Sequence, residues 1–392
     1  MPLSPLHLVA TCGLGLEEIL DAELAALGVA ERETQRGAVT FQGSWEDCWR
    51  ANWRLRTANR VLAELGSFPA VDGPSLAAGA RALVSGRSGR GGQPSPSRGG
   101  LEPGTLLHPD RSFAIRATVG DSAVRDARWA ALSVKDGLVD GQRDRWGRRS
   151  NVDRDDPDLH LRLRLQGGQA TLLVDTSGEP LDHRGYREMS TAAPVREPLA
   201  AACVLASGWD GQGPVVDPMC GSGTLLVEAA WVAIGRAPGS LRQRWAFERL
   251  PGFDSAAFDR LRREPLPPPG RSVHLYGNDL APAALRGAHA NLDRAGLSGR
   301  ATLTRGDFRA QKAPAGGPGL VLVNPPYGER VQEEEDQWRA LGDLLKQQFK
   351  GWRAAVLAGG ASRGKGIGLR PRRRIPVWNG PLAARILLFD LF

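Results

Sequence analysis

The sequence has few of the residues from which disulfide frameworks and structural metal sites are built. Its 392 residues include four cysteines and six histidines. The cysteines have neither a Cys-x-x-Cys spacing nor a neighbouring histidine cluster, and they stand at Cys12, Cys48, Cys203 and Cys220. This pattern argues against a zinc site and against disulfide bonds, and it favours a reduced, cytoplasmic setting with no metal.

Long apolar runs are also lacking. No stretch approaches the roughly 20 apolar residues that a membrane-spanning helix needs, and residues 1–7 lack the basic segment and apolar run of a secretory signal. We therefore expect a soluble, unexported, cytoplasmic protein without a membrane partner. A chain of 392 residues is long enough for two or three domains whose cores need neither disulfides nor metal.

Acidic residues are outnumbered by basic ones, 43 against 51, which gives a formal net charge of +8. Such a balance favours a polyanionic partner, because each basic contact to a phosphate releases counterions. An arginine-rich composition also follows from a GC-rich genome, however, so the position of the charge is more informative than its sum.

The segment from Val215 to Ala230 has the pattern of a strand, a tight glycine loop and a helix. No Lys-Ser/Thr pair follows the glycines and the third glycine of the dinucleotide fingerprint is missing, which argues against both phosphate-binding motifs. An acidic residue, Asp217, precedes Gly221 by four positions. That arrangement suits a ligand with an amino group, a carboxylate and a nucleoside, such as S-adenosylmethionine, although a glycine turn that only packs helix on strand remains an alternative. The candidate cofactor residues here are Asp217, Cys220, Gly221, Ser222, Gly223 and Thr224.

A second motif follows the apolar run 320–323, which predicts a strand buried on both faces. Two prolines cannot continue a central strand, so the chain leaves the sheet at Asn324-Pro325-Pro326-Tyr327. Strand carboxyl ends are where open α/β sheets bind ligands. The tetrapeptide resembles the mark of the amino-methylating class of S-adenosylmethionine-dependent methyltransferases, and the resemblance implies S-adenosylmethionine as cofactor and these four residues as catalytic.

Two further acids follow predicted strands. Asp279 ends the run 272–279, where a carboxylate in doubly wound folds accepts hydrogen bonds from ribose hydroxyls. Asp307 follows the run 301–305. In the methyltransferases that the tetrapeptide resembles, an acid there accepts from the adenine amino group and an apolar neighbour covers the ring, which implies these roles for Asp307 and Phe308. A turn-forming role is the alternative for Asp307.

The N-terminal half predicts short α/β units. Residues 45–62 have a helical pattern in which Trp49 and Trp53 are interpreted as core, and residues 85–105, rich in Gly, Ser and Pro, predict a flexible insertion. Residues 127–139 predict a helix and residues 140–151 a basic, tryptophan-bearing loop with Arg148 and Arg149. Alternation over 159–165 places Arg162 and Arg164 on one face of a strand, opposite the leucines.

The stretch from about 60 to 170 resembles the THUMP domain, an RNA-binding module of RNA-modifying enzymes. With the segments 175–187, 193–202, 217–224 and 324–330, the whole chain is similar to the bacterial 23S rRNA guanine-N2 methyltransferase family. The resemblance implies an α/β architecture: a ferredoxin-like unit (1–60), a THUMP domain (61–170) and a Rossmann-like class I methyltransferase domain with a seven-stranded mixed sheet (171–392).

This resemblance implies methylation of the exocyclic N2 of a guanine in 23S rRNA. A monomer is favoured. The residues expected to contact RNA are Arg148, Arg149, Arg162 and Arg164. In some members a second methyltransferase domain follows the first, and the expectation here is the guanine-N2 activity alone. Three alternatives remain open: a tRNA guanine-N2 methyltransferase, a DNA adenine-N6 methyltransferase, and a non-catalytic RNA-binding ribosome-assembly factor.

Overall fold

The computed structural model describes residues 5–86, 95–96, 101–153, 155–188, 195–265, 272–326, 331–360 and 364–392. Two β-sheets organise these residues, one in each half of the chain. No helix within these ranges combines the length and the apolar character that crossing a bilayer requires.

The strands of the N-terminal half form one sheet. They are β1 (Leu6–Cys12), β2 (Arg32–Gln35), β3 (Ala38–Gly43), β4 (Ala58–Pro69), β5 (Ser95–Pro96), β6 (Phe113–Val119), β7 (Leu159–Gln166) and β8 (Gln169–Asp175). Their order is β2-β3-β1-β4-β8-β7-β6, with β5 paired to β4. Because β4 pairs with β1 on one side and β8 on the other, the predicted N-terminal unit and the predicted RNA-binding domain share a single sheet.

The helices of this half are α1 (Glu17–Ala26), α2 (Trp45–Arg54), α3 (Gly73–Ser85), α4 (Pro103–Leu106) and α5 (Ala127–Trp146). Side-chain caps start several of them: Ser44 and Asp47 form a capping box on α2, and Asp126 accepts from two amides of α5. The leucines of β7 are buried, whereas its basic residues lie on the opposite face and are half-buried.

Two predicted boundaries in this half are wrong. The helix expected over 45–62 ends at Arg54, because the chain turns extended at Leu55 and then pairs with β1 and β8 as β4. The helix expected over 127–139 continues to Trp146, through most of the predicted loop.

Glycines explain the second error. A side-chain carbon on Gly137 would lie 2.2 Å from the carbonyl oxygen of Ala77, and one on Gly141 would lie 2.7 Å from that of Arg81. These glycines therefore let α5 contact α3 closely. The helix ends at Gly147, whose φ of 69° suits a left-handed C-terminal residue.

The predicted flexible insertion, 85–105, lies largely outside the described residues, which omit 87–94 and 97–100. Its last residues are packed, contrary to expectation: Leu101 is buried and α4 begins at Pro103.

The second sheet belongs to the C-terminal half. Its strands are β9 (Val215–Asp217), β10 (Leu275–Asp279), β11 (Ala301–Arg305), β12 (Leu320–Val323), β13 (Arg353–Ala358), β14 (Arg373–Asn379) and β15 (Leu382–Asp390). Their order is β11-β10-β9-β12-β13-β15-β14. The first five are parallel, and β15 runs antiparallel to both β13 and β14.

The helices α6 (Glu197–Ala206), α7 (Thr224–Ala233), α8 (Ser255–Arg263), α9 (Pro282–Arg294) and α10 (Val331–Gln348) accompany this sheet. Strand order reverses at β9, since the chain moves outward through β10 and β11 and then returns to β12 on its other side. In open α/β sheets a ligand cleft forms at such a switch point, beyond the carboxyl ends of the strands.

The two halves are joined by a buried aromatic cluster. Trp49 and Trp53 of α2 are 2% and 7% exposed, which confirms their core role. Trp49 packs edge-on against Phe253 with ring centroids 5.5 Å apart, and Trp53 against Phe258 at 6.0 Å. The segment after α7, which includes α8, therefore packs on the N-terminal unit.

A buried polar network reinforces this contact. The Tyr186 hydroxyl donates to Glu228 Oε1 at 3.0 Å, and Arg184 Nε lies 3.2 Å from the same oxygen. Arg56 of the N-terminal half donates to the carbonyl oxygens of Trp231 and Arg236 at 3.1 and 2.7 Å. Burial raises the pKa of Glu228, and the two guanidinium groups act against that rise. The network anchors α7, the helix that follows the glycine loop.

Candidate active site

Three neighbouring strands deliver the candidate residues to one edge of the C-terminal sheet. β9 ends at Asp217, β10 ends at Asp279, and Asn324 follows β12 directly. The strands pair as β10-β9-β12, and all are parallel. A cleft of about 790 Å³ opens beyond their carboxyl ends. Its lining includes Asp217, Cys220, Gly221, Ser222, Thr224, Asp279, Phe308, Arg309, Asn324, Pro326 and Gln337.

The glycine loop is shaped by two residues with positive φ, Gly221 at 52° and Gly223 at 78°. Gly223 stands behind the cleft, where a side-chain carbon would lie 3.2 Å from Ala288 of α9. The amide of Gly221 donates to Asp279 Oδ2 at 2.9 Å, which fixes the loop to the end of β10. The loop thus presents its backbone to the cleft while a neighbouring strand holds it.

Asp217 is a buried carboxyl group on the cleft wall, 1% exposed. Its Oδ1 accepts from the Met219 amide at 3.1 Å, whereas its Oδ2 has no hydrogen-bond partner among the described residues. Burial, opposed by the Met219 amide and reinforced by the Asp279 carboxylate, raises the pKa of Asp217 to about 8. A buried acid with one unsatisfied oxygen is suited to a cationic ligand group.

Both carboxylate oxygens of Asp279 accept from backbone amides, Oδ2 from Gly221 and Oδ1 from Ala281 at 2.9 Å. A carboxylate has about four acceptor positions, so Asp279 is oriented by the protein and retains capacity for hydroxyl groups of a ligand. It lines the cleft, as predicted for the tip of this strand.

Sequence reasoning missed Asn278, the neighbour of Asp279. Its side-chain amide donates to the carbonyl oxygens of Pro218 and Gly306 at 3.1 and 2.9 Å, and its Oδ1 accepts from the Thr304 hydroxyl at 3.2 Å. One buried side chain thus ties the turns after β9 and β11 to β10. A buried amide directly before the strand-end acid was the signal that could have identified it.

The turn after β11 places its two candidates differently. Phe308 lines the cleft and is 7% exposed, whereas the Asp307 carboxylate accepts from the Arg309 amide at 2.9 Å and pairs with the Arg309 guanidinium at 3.0 Å. The Arg309 amide also lowers the pKa of Asp307. Arg309, unpredicted, lies 4.9 Å from the Phe308 ring centroid. The turn-forming role considered for Asp307 is therefore present.

The tetrapeptide after β12 is described in part. Asn324 and Pro326 line the cleft, and Pro325 is buried behind them. Tyr327 lies outside the described residues. Among the residues that the structure does describe, no group of three His, Cys, Asp or Glu side chains is arranged to hold a metal ion.

The four arginines predicted to contact RNA lie on two elements of the N-terminal half. Arg148 and Arg149 follow α5, where Arg148 pairs with Asp110 at 2.5 Å. On β7, Arg162 donates to the buried carboxylate of Asp175 at 2.9 Å, and Arg164 donates to the Gln166 side chain. Arg162 is therefore held by a structural ion pair, and the RNA role of all four stays a prediction.

Comparison with known families assigns each part of the chain. A family profile described as RMKL-like, methyltransferase domain matches residues 184–386, which is more than half of the chain. The chain belongs to the RMKL-like methyltransferase family. Two further profiles match upstream, the RlmL ferredoxin-like domain at 7–62 and the THUMP domain at 103–175.

Curated relatives of this RMKL-like chain include two bacterial proteins named ribosomal RNA large subunit methyltransferase K/L. The protein from Stutzerimonas stutzeri strain A1501 is 35% identical over 98% of this chain and 53% of its own length. The protein from Allochromatium vinosum is 38% identical over 96% of this chain and 50% of its own length. The chain thus spans about half the length of the curated relatives it matches.

Two solved structures resemble the RMKL-like chain over nearly its full length. SMU.472, a putative methyltransferase complexed with SAH, has a TM-score of 0.84 and 26% identity, covering 100% of this chain and 99% of that one. A protein from Listeria monocytogenes, described as a predicted N6-adenine-specific DNA methylase, has a TM-score of 0.82 and 26% identity, covering 99% and 97%.

These matches confirm the resemblance and the fold class expected from the sequence: an RMKL-like, Rossmann-like methyltransferase domain preceded by ferredoxin-like and THUMP domains. The seven-stranded mixed sheet is also as expected. The domain boundaries at 60 and 170 and the individual site residues stay predictions.

Proposed function

We propose that this chain transfers a methyl group from S-adenosylmethionine to the exocyclic N2 of a guanine in 23S rRNA, in the cytoplasm. The observation that carries the proposal is the cleft in which Asp217, Asp279 and Asn324 meet at the ends of three adjacent parallel strands. Two comparisons support it: the relatives named large-subunit rRNA methyltransferases, and the SAH bound to SMU.472.

The residues present fit the cofactor. The unsatisfied Oδ2 of buried Asp217 suits the ammonium of the methionine part, and the amides of the glycine loop and the start of α7 suit its carboxylate. Asp279, oriented by two amides, is proposed to accept from the ribose hydroxyls. In this assignment Phe308 covers the adenine ring. The Asp307 carboxylate, which already accepts from Arg309, has further acceptor positions for the adenine amino group.

The chemistry assigned to the tetrapeptide is orientation. S-adenosylmethionine, when bound, supplies an electrophilic methyl group. An exocyclic amine is a poor nucleophile because its lone pair is delocalised into the ring. The Asn324 side-chain carbonyl and the Pro325 backbone carbonyl are proposed to accept the two amine hydrogens, which directs the lone pair towards the methyl carbon.

The target base has to leave its helix to reach a cleft at the sheet edge. Tyr327 is proposed to stack on the extruded base, next to Pro326, which lines the cleft. RNA is proposed to be held by the THUMP and ferredoxin-like domains, with Arg148, Arg149, Arg162 and Arg164 as phosphate contacts. The net charge of +8 supports a polyanionic substrate.

One specific observation favours a second candidate. The Listeria protein that matches at 26% identity is described as an N6-adenine-specific DNA methylase, and adenine N6 is also an exocyclic amine that an Asn-Pro-Pro-Tyr motif can orient. The THUMP match argues for RNA over DNA. A tRNA guanine remains the alternative within RNA, since THUMP domains also serve tRNA enzymes.

A substrate comparison with cofactor labelled in the methyl group tests the proposal. We expect incorporation into 23S rRNA from a strain that lacks the enzyme, and little into tRNA or duplex DNA. The Asn324→Ala variant is the control for contaminating activity. Preferential labelling of DNA or tRNA would replace the proposed substrate, and binding of rRNA without cofactor binding would indicate an assembly factor.

A further inference from the structure

A second cleft lies in the N-terminal half, at the carboxyl end of α5. It has a volume of about 420 Å³ and is lined by Gly104, Thr105, His108, Asp110, Arg111, Arg145 and Trp146. None of these residues belongs to the candidate active site. The cleft therefore requires an explanation of its own.

Flat side chains form one part of its lining. The Arg145 guanidinium lies 4.8 Å from the centroid of the Trp146 ring, and the His108 ring meets the same indole edge-on, with centroids 5.2 Å apart. Indole, imidazole and guanidinium groups are surfaces on which nucleobases stack without regard to sequence.

Positively charged side chains form another part of the cleft lining. Arg111 has a buried Nη1 without a hydrogen-bond acceptor in the described part of the chain. Arg145 donates to the neutral carbonyl oxygen of Val84 at 3.0 Å. The one acid of the lining, Asp110, lies 2.5 Å from Arg148 and 3.1 Å from His108 Nδ1, so its charge is offset. The lining therefore carries more positive than negative charge, which suits an anionic group.

The position of Arg145 depends on a glycine. A side-chain carbon on Gly104 would lie 2.0 Å from Arg145 Nη1, so the guanidinium occupies the space that any larger residue at 104 would fill. Gly104 and Arg145 belong to different elements, α4 and α5. The contact between Gly104 and Arg145 is therefore tertiary, and a substitution at Gly104 that leaves the charge unchanged can displace the Arg145 guanidinium.

We propose that this cleft binds one nucleotide of a single-stranded segment of the substrate RNA, its phosphate contacting Arg111 and Arg145 and its base stacking on Trp146. The inference rests on the proposed function for the nature of the polymer. A free nucleoside triphosphate is usually held by a glycine-rich loop at the start of a helix, whereas the donors here are side chains, which suit a strand passing through.

The test measures RNA binding directly, without cofactor, by fluorescence anisotropy of a fluorescein-labelled oligouridine of about ten nucleotides. Arg111→Gln and Arg145→Gln should each weaken binding about tenfold, because each removes a charge-assisted hydrogen bond. Gly104→Ala should weaken it in the same direction without changing the charge.

Arg143→Gln is the matched control. It removes the same charge from the same helix, but Arg143 is exposed, pairs with Asp140 at 3.1 Å and does not line the cleft. We expect its affinity for the oligouridine to change less than about twofold. Thermal unfolding of each variant identifies any that fail to fold, and photo-crosslinking of 4-thiouridine RNA to Trp146 or His108 of the unaltered protein gives a readout that needs no variant.

Equal losses in the Arg143 control and the cleft variants would overturn the proposal, because the charge would then act diffusely. Displacement of the oligouridine by uridine triphosphate alone would assign the cleft to a free nucleotide, and crosslinks confined to other residues would also contradict it. Binding through the cleft with no methyl transfer to any RNA would instead refute the proposed function and leave the cleft standing.

Discussion

Asp217 should make cofactor binding depend on pH in a direction that its surroundings determine. Burial raises its pKa from the ordinary 3.8 to about 8, although the Met219 amide acts against the rise. Since a tenfold change in proton affinity corresponds to ~1.4 kcal/mol, holding this carboxylate ionised without a cationic partner costs up to about 6 kcal/mol. We therefore expect Asp217 to be protonated at pH 6 to 7 in the protein without cofactor.

A ligand ammonium beside Oδ2 favours the ionised form, so binding near pH 6.5 should release close to one proton. The ligand's own amino group is already protonated there, since α-amino groups titrate near 7.7–8.0. Affinity should rise about tenfold between pH 6 and pH 7 for the same reason. Isothermal titration of S-adenosylhomocysteine in two buffers of different ionisation enthalpy measures the released proton.

Asp217→Asn is the control for this prediction, because an amide cannot release a proton. The variant should bind more weakly and with no proton exchange. A wild-type protein that binds without releasing a proton, or a variant that releases as much as the wild type, would refute the assignment of Asp217 to the ammonium.

Four further outcomes are expected. Asn324→Ala should lower the rate of methyl transfer by about a hundredfold or more, since orientation of the amine is lost, while calorimetry shows nearly unchanged cofactor affinity; full activity would remove the amide from the mechanism. Asp279→Ala should weaken cofactor binding roughly tenfold to a hundredfold through lost charged hydrogen bonds, and an unchanged dissociation constant would reject its ribose role. Asn278→Ala should raise the KM for the cofactor more than it lowers kcat, because the turns after β9 and β11 lose a shared anchor; an equal effect on both would contradict a positioning role. Without cofactor, Asp217→Asn should raise the Tm at pH 8 relative to wild type, because the raised pKa makes stability fall as pH rises from about 4 to 8; an equal Tm would show that the carboxylate is solvated.

Most of the cleft could be predicted from the sequence, because its candidate residues stand at the ends of predicted strands. Asp217, Asp279 and Asn324 each stand at the end of a predicted strand, and parallel strands bring such positions to one edge. Burial of Trp49 and Trp53 was also predictable from amphipathic spacing on α2. These features are local in sequence and need no knowledge of long-range contacts.

Features that depend on contacts between distant segments were missed. The extended conformation from Ala58 onward is imposed by pairing with β1 and β8 on both sides, which outweighs a helical pattern in residues 45–62. Gly141 lies inside α5, beyond the predicted end of that helix, at a point where α3 packs within contact distance. Asn278 links the turns after β9 and β11, whose proximity no sequence spacing reveals.

The most direct test of the central claim is a nucleoside analysis of 23S rRNA. RNA from a strain lacking this protein, from the same strain carrying the wild-type gene, and from one carrying Asn324→Ala should be digested and mapped by mass spectrometry. We predict N2-methylguanosine at a defined position only where the wild-type chain is present. Identical N2-methylguanosine in all three samples, or a new methyl group on adenine N6 instead, would contradict the assignment.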